Sequence, residues 1–249
     1  MENLFSDPTL LTLIFFSGLF AGFVNVYAGG GTILTIAILV FYGFPVSVAN
    51  GTNRIGVLAA SSTSTYTFLK NKTISAKKAL KIGLWTIPGA IAGALFAVNL
   101  NNAVLGKFFA IIMIFIAISL FIPTKIGENS KSSPVLLAIS MFFVGIYGGF
   151  IQTGVGLIQM AALKHIGKMD LLKTNAYKMA TNLIFTIPVI AIFALTNSIL
   201  LDCAIVVAVG SAIGGKIGSD LAIKNGEKFI KIVMFFVLIA ISVIFFLKK

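Results

Sequence analysis

Charged residues are scarce in this chain, and the residues that form disulfides or bind metals are nearly absent. Asp, Glu, Lys and Arg together make up 10% of the 249 residues, whereas an ordinary soluble domain carries about 25%. Cys203 and His165 are single representatives of their types, which excludes a disulfide framework and leaves no cluster with metal-ligand spacing. We therefore expect no metal and no other cofactor. No nucleophile–base pair or carboxylate pair falls inside an apolar segment, so an enzyme is the least expected class.

Long apolar runs dominate what is present. Apolar residues make up 58% of the chain, and the mean hydropathy is +1.06. Runs of about 20 residues or more can cross the hydrocarbon core of a bilayer, and they predict an all-α integral membrane protein. The runs are Thr9–Tyr42, Asn50–Leu69, Ala79–Val98, Val104–Ile122, Pro134–Ala162, Lys173–Leu195, Ile199–Ile223 and Phe229–Leu247. The first is preceded by Glu2 and Asp7 but by no basic residue, so it is predicted to be a retained span and not a signal peptide.

The two halves of the chain resemble each other. GLFAGFVNVYAGGG, from Gly18, is similar to GIYGGFIQTGVG, from Gly145. Downstream, NGTNR at 50–54 is similar to TNAYK at 174–178, PGAIAG at 88–93 to GSAIGG at 210–215, and KFFAIIMIF at 107–115 to KFIKIVMFF at 228–236. A similarity that persists along the whole length indicates an internal duplication. We predict a first repeat at residues 1–123, a cytoplasmic linker at 124–133 and a second repeat at 134–249.

The formal charge of +12 is explained by membrane topology and does not require nucleic acid. Lys and Arg concentrate in short loops on the cytoplasmic side of membrane proteins. Here 15 of the 19 basic residues fall in the segments 70–81, 123–133, 164–178 and 216–231, while the loops at 99–102 and 196–202 carry none. We therefore predict that the four lysine-containing segments are cytoplasmic and that the N-terminus lies outside.

The first and fifth runs are too long for one helix, and glycines interrupt them at Gly29–Gly31 and at Gly154 and Gly156. The predicted sidedness holds only if each of these runs folds back as a helical hairpin. Each homologous half then contains a glycine-broken hairpin plus three transmembrane helices. An odd number of crossings makes the halves inverted repeats, whose glycine turns meet near the membrane midplane. The alternative is that both runs span fully and the repeats are parallel.

Polar residues surround the two glycine turns and predict an anion site. Irregular backbone inside a membrane must be buried in protein or line a wet cavity, and helices starting after the turns would direct amide groups at an anion. Arg54 is the only arginine, lies in an apolar run, and has a guanidinium that can bind an oxyanion through two hydrogen bonds. The predicted substrate-binding residues are Asn25, Gly29, Gly30, Gly31, Asn50, Gly51, Thr52, Asn53, Arg54, Gln152, Thr153, Gly154, Gly156, Thr174, Asn175 and Lys178.

Two other readings of these residues remain open. The glycines could serve close helix packing, and Arg54 and Lys178 could extend their side chains to the lipid headgroups.

The same residues carry a family resemblance. GLFAGFVNVYAGGGTIL with the following ANGTNR, and GIYGGFIQTGVG in the second half, resemble the TauE/SafE family of sulfite and organosulfonate exporters, over nearly the whole chain. The resemblance implies a duplicated helical transporter in the plasma membrane of prokaryotes that moves small sulfur-containing anions. It carries over Gly18, Gly22, Gly29–Gly31 and Asn50–Thr52 as the core of the site. The second half departs from the pattern at residues 156–158 and 174–176.

We therefore predict a secondary transporter of sulfite, thiosulfate or a sulfonate, with membrane lipid and a small anion as its partners. A passive anion channel and a non-transporting membrane scaffold are the alternatives. The sequence selects no particular anion, direction, coupling ion or oligomeric state, and a homodimer is among the options.

Overall fold

The computed structural model describes residues 8–105, 107 and 133–247. The regular structure in these residues is helical, as predicted. The predicted fourth span, Val104–Ile122, and the predicted linker lie almost entirely outside the described residues. The helices are α1 (Pro8–Tyr27), α2 (Thr32–Phe41), α3 (Val46–Lys70), α4 (Ala76–Asn99), α5 (Pro134–Phe150), α6 (Val155–Ala161), α7 (Leu171–Leu195) and α8 (Leu201–Leu247). A π-helical turn at Ala162–Ile166 continues α6.

Four of the described helices are long and apolar enough to cross a membrane, namely α1, α4, α7 and the stretch Leu201–Ile230 of α8. The helices α2, α5 and α6 with its π-turn are apolar but shorter. Within α8, Gly226 adopts a non-helical conformation with φ 65° and ψ −161°. This break falls between the seventh and eighth predicted runs.

Both long apolar runs fold back on themselves as pairs of helices. Residues 28–31 separate α1 from α2, and Ser17 Oγ lies 3.2 Å from Thr35 Oγ1 across the first hairpin. Residues 151–154 separate α5 from α6, and here Gln152 and Gly154 have φ values of 65° and 78°. Because glycine adopts positive φ without steric cost, the turns occur where the sequence supplies it.

Three of the four lysine-rich segments, 70–81, 164–178 and 216–231, share one end of the molecule. The Ser75 amide, in the loop between α3 and α4, donates to Tyr177 Oη of α7 at 3.3 Å. The Leu171 amide, at the start of α7, donates to Glu227 Oε1 beside the break in α8 at 2.7 Å. These bonds join three of the segments that were predicted to be cytoplasmic.

The lysine-free loops share the other end. The Ser47 amide donates to Asn102 Oδ1 at 3.1 Å, and the Leu200 amide donates to Thr52 Oγ1 at 2.9 Å. The first hairpin has its open end at the lysine-free end of the molecule, and the second hairpin has its open end at the lysine-rich end. Leu10 and Leu39 of the first hairpin share a buried cluster with Cys203, whereas Leu137 and Leu163 of the second share one with Ile74 and Leu171.

Glycines allow the helices to pack backbone against backbone. A Cβ atom on Gly18 of α1 would stand 2.7 Å from the carbonyl oxygen of Val207 in α8. The contact is reciprocal, because Gly210 and Gly214 of α8 lie against the α1 backbone at Phe15 and Leu19. The pair α4 and α5 repeats this pattern, with Gly89 and Gly93 against Phe142 and Ile146, and Gly145 and Gly149 against Thr86 and Ala90. Such small-residue contacts are typical of helices that associate in lipid.

Candidate functional site

The two glycine turns touch. The Gly154 amide donates to the Gly29 carbonyl at 3.1 Å, and Thr32 Oγ1 donates to Thr153 Oγ1 at 3.3 Å. A Cβ on Gly29 would stand 2.6 Å from the Cα of Gly156. The two glycine turns therefore touch in the structure, and the turn residues among the predicted site residues lie together.

Asn25 organises the first turn. Its Oδ1 accepts a hydrogen bond from the Gly31 amide at 3.2 Å, so a side chain near the end of α1 holds the residue that precedes α2. Gly29 has a φ of 75°, where a side chain would be strained. The start of α2 is thus positioned from within the hairpin itself.

Arg54 of α3 is fully buried and binds the carboxyl end of α5. Its Nη1 donates to Gly148 O at 3.0 Å, and its Nη2 donates to Gly149 O at 2.6 Å. The guanidinium carbon also lies 4.6 Å from the ring centroid of Phe193. A cation in this position stabilises the partial negative charge at a helix C-terminus. Backbone carbonyls therefore occupy the paired donors that the sequence assigned to an oxyanion, and Arg54 Nε has no partner among the described residues.

Lys178 of α7 holds the equivalent position on the first hairpin. It is fully buried, and its Nζ donates to Val26 O, near the end of α1, at 2.8 Å. Asn175 Oδ1 lies 3.2 Å from the same nitrogen, and the third neighbour is the Met160 sulfur at 3.7 Å. Each buried cation thus binds the end of the first helix of the hairpin contributed by the other half. Neither reaches out to lipid headgroups, which was one of the open readings.

The remaining predicted residues divide into two groups. Asn50 joins the turns, because its Nδ2 donates to Phe150 O at 3.0 Å, and Asn53 is buried on the same helix. Thr52 binds the loop before α8, Gly51 lies against Ser198, and Thr174 Oγ1 donates to Met169 O at 3.3 Å. This second group serves helix packing at the two ends of the molecule and lies away from the turns.

Several buried polar side chains near the turns are missing from the predicted site. The atoms without a partner among the described residues include those of Ser61, Thr65, Gln159, Thr181 and Asn182. On α3 and α7 these residues continue the faces that carry Arg54 and Lys178. Polar residues at helical spacing inside an apolar run could have identified them. A helix in lipid needs no water-facing polar side, so such residues point to a function.

Among the described residues, no buried carboxylate faces the two buried basic side chains. In the described part of the chain, ion pairs join Lys173 to Asp170 and Lys216 to Asp220, at 2.8 Å each and with all four side chains exposed. Arg54 and Lys178 instead rest on neutral carbonyl and amide oxygens. The two basic side chains beside the turns therefore have no acidic partner among the described residues.

A surface cavity of about 280 Å³ lies between α3 and α8 at the lysine-rich end. Residues that line it include Tyr66, Lys70, Asn71, Lys216 and Asp220. None of the predicted site residues contributes to it.

These features define a polytopic helical membrane protein of the kind that moves solutes, with buried cations placed at paired helix breaks. The comparison with known sequences agrees. The family model described as "Sulfite exporter TauE/SafE" matches residues 14–245. The chain belongs to this family.

Curated relatives match along nearly their full length. The chain is 26% identical over 238 residues to the "Probable membrane transporter protein ORF9" of Sinorhizobium sp, which covers 94% of this chain and 91% of the relative. It is 28% identical over 230 residues to the "Probable membrane transporter protein YfcA" of Escherichia coli K12, covering 90% and 85%. A Bacillus subtilis relative, YunE, is 24% identical over 255 residues, covering 90% and 93%. No solved structure matches the chain.

Proposed function

We propose that the protein is a secondary transporter that carries a small sulfur-containing oxyanion, such as sulfite, thiosulfate or a sulfonate, across the plasma membrane. The observation that carries the proposal is the burial of Arg54 and Lys178 beside the touching glycine turns. Buried charges in a membrane protein are costly and mark functional positions. An anion that arrives between the turns compensates two cations that no described carboxylate neutralises.

The sidedness of the hairpins supports inverted repeats. The open end of the first hairpin lies with the lysine-free loops and that of the second with the lysine-rich loops. If the lysine-rich end is cytoplasmic, the hairpins reach the middle from opposite faces and the N-terminus is outside. Alternating access then follows when one half rocks against the other around the turns.

The helix contacts also support a repeat, with one change of register. Gly145 and Gly149 correspond to Gly18 and Gly22 in the predicted alignment. Gly18 and Gly22 contact α8, whereas Gly145 and Gly149 contact α4. Aligning α4 with α8 by these contacts matches Gly89 to Gly210 and Gly93 to Gly214. This differs by one residue from the predicted match of PGAIAG to GSAIGG.

Arg54 attracts the anion mainly through its positive charge and does not bind it through two parallel hydrogen bonds. Its Nη1 and Nη2 hold the end of α5, and Nε is left without a partner among the described residues. Lys178 contributes the second positive charge from the other half. An anion is thus attracted by fixed cations, and neutral polar groups complete its hydrogen bonds.

Proteoliposomes with the purified protein test the proposal. Sulfite, thiosulfate, sulfate and methanesulfonate are offered one at a time, with chloride and protein-free liposomes as controls. We expect saturable uptake of at least one sulfur oxyanion and faster uptake into vesicles preloaded with the same anion. Flux that does not saturate indicates a channel. The absence of flux for every anion contradicts transport and favours a scaffold.

A further inference from the structure

Within the part of the chain that the structure describes, the side chain of Gln159 has no hydrogen-bond partner at either end. It lies on α6 with 0% exposure, and both Nε2 and Oε1 lack a partner among the described residues. A buried amide with neither group satisfied is rare, because the desolvated groups lose their bonds to water without replacement. The equivalent residue of the first hairpin, Thr32, differs, since its hydroxyl donates to Thr153.

Asn182 of α7 lies opposite the part of the second hairpin that contains Gln159. On α7, Lys178, Asn182 and Thr186 follow at intervals of four residues and so share one face. Lys178 contacts Met160 at one end of this face, and Thr186 accepts from Gln152 Nε2 at 3.1 Å at the other. Asn182, between them, therefore faces the segment between Gln152 and Met160. Its Oδ1 also lacks a partner among the described residues.

One donor of Lys178 has only a weak acceptor, the sulfur of Met160. An ammonium group offers three N–H donors. Two point to the oxygens of Val26 and Asn175, while the third neighbour is the thioether of Met160, a weak acceptor. Met160 is the chain neighbour of Gln159. An anion that replaces this sulfur contact gains a charge-assisted hydrogen bond.

From these three observations we infer that Gln159, Asn182 and the Lys178 donor that contacts the Met160 sulfur form an anion-binding position in the second half of the chain. The inference rests on the proposed function and deepens it. The position offers one positive charge together with amide donors and acceptors. That set matches a small oxyanion that carries its own proton, because such an anion accepts from Lys178 and one amide and donates its O–H to another.

The site differs from the one predicted around Gly29–Gly31 and Arg54. At the first turn, Thr32 is paired with Thr153 and the Gly31 amide with Asn25. Polar groups without a partner among the described residues belong to Asn50, Asn53 and Arg54 in the first half as well as to Gln159 and Asn182 in the second. Gln159 differs from the others because both polar atoms of its side chain lack a partner among those residues, and this places the binding position toward the hairpin that departs from the family pattern.

The variant Gln159→Leu tests the inference, with Asn99→Leu as the matched control. Asn99 is exposed at the end of α4 and bonds within its own helix. The probe is sulfite near neutral pH, where the singly protonated anion is abundant, with chloride as the ionic control. Uptake into proteoliposomes gives the KM, and thermal unfolding with and without sulfite gives binding.

We expect Gln159→Leu to unfold at or above the wild-type temperature without anion, because the change removes two unpaired groups. We also expect it to lose the sulfite-induced shift and to raise the KM for sulfite at least tenfold. Gln159→Glu, which adds a negative charge, should abolish uptake. Asn99→Leu should behave as wild type.

A wild-type KM and a wild-type sulfite shift in Gln159→Leu would overturn the inference and leave the proposed function standing. A wild-type protein that neither binds nor moves any sulfur oxyanion contradicts the proposed function, and this binding position with it. A variant that is destabilised but keeps its affinity for sulfite also counts against the site, since it assigns Gln159 to packing alone.

Discussion

Gly29 and Gly156 lie backbone against backbone where the two hairpins meet. A Cβ on Gly156 would stand 2.7 Å from the Cα of Gly29, closer than real Cβ contacts allow. The hydrogen bond from the Gly154 amide to the Gly29 carbonyl, 3.1 Å long, fixes the same junction. Each hairpin therefore sets the position of the other.

Gly156→Ala should impair this junction without straining the backbone, because positive φ occurs at Gly29 and Gly154 but not at Gly156. Overpacking of this kind costs about 1–3 kcal/mol, and we expect a lower unfolding temperature together with a severe loss of sulfite uptake in proteoliposomes. Ala161→Ser, an exposed position on the same helix, is the control. Wild-type uptake in Gly156→Ala would show that the turns need not touch during transport.

Arg54→Gln should lose both stability and uptake. The carbonyl oxygens of Gly148 and Gly149 lose the hydrogen bonds that Arg54 donates. Each buried polar group left without a partner lowers the free energy of unfolding by about 1–3 kcal/mol. Arg54→Lys keeps the charge but cannot hold two carbonyls with a planar fork, so an intermediate loss is expected. Flux and thermal unfolding are measured for both variants, with the exposed Lys224→Gln as control. Unchanged uptake in both Arg54 variants would remove Arg54 from the proposed mechanism.

Gly93→Ala should weaken the contact between α4 and α5. A Cβ there overlaps the carbonyl oxygen of Ile146, which is backbone and cannot rotate away. We expect a destabilisation of about 1–3 kcal/mol, read from chemical or thermal unfolding in detergent. The neighbouring Ala92 is exposed, so Ala92→Leu should change stability by less than about 0.5 kcal/mol. Equal effects at both positions would argue against close packing here.

Asp170 gives α7 a pH-dependent cap. Its side chain accepts from the Lys173 amide at 2.8 Å and pairs with the Lys173 ammonium. Burial alone would raise the pKa of Asp170, but the bonds and charge of Lys173 hold it below its ordinary value of 3.8. The folded state thus favours the ionised form, so this stabilisation is complete above about pH 4 and is lost as pH falls through the lowered pKa.

Asp170→Ala should therefore cost about 1 kcal/mol at neutral pH, the usual value of an N-cap, and less in acid. Asp170→Asn keeps a good cap and should remove only the pH dependence. Unfolding temperatures between pH 3 and pH 7 measure this. An equal loss at both pH values in Asp170→Ala would contradict a charged cap.

Membrane sidedness can be read with single cysteines in a Cys203→Ala background. Ser75 and Asn197 are exposed in loops at opposite ends of the molecule. We expect a membrane-impermeant maleimide to label Ser75→Cys from the cytoplasmic side and Asn197→Cys from the outside. Labelling of both from one side would contradict the predicted topology.

The apolar runs and their glycine breaks predicted the helices and both turns well, because the position of a helix or a turn depends mainly on neighbouring residues in the sequence. The α3 helix begins at Val46 and not at Asn50, since Pro45 starts it and polar residues continue inside it. The partners of Arg54 could not be predicted, because the carbonyls of Gly148 and Gly149 come from a helix far along the chain. The sequence does not distinguish Gln159 from the other polar residues near the second turn, because an unpaired group is visible only when its surroundings are known.

The reciprocal glycine contacts also bear on how such a chain arises. The first helix of each half packs against the last described helix of the other, α1 on α8 and α5 on α4. A half-length chain standing alone would leave both of these faces open to lipid, and a second copy inserted upside down would cover them. If the halves are inverted repeats, as we propose, an ancestor of half the length would have needed to insert in both orientations and pair with itself before two copies were joined in one chain.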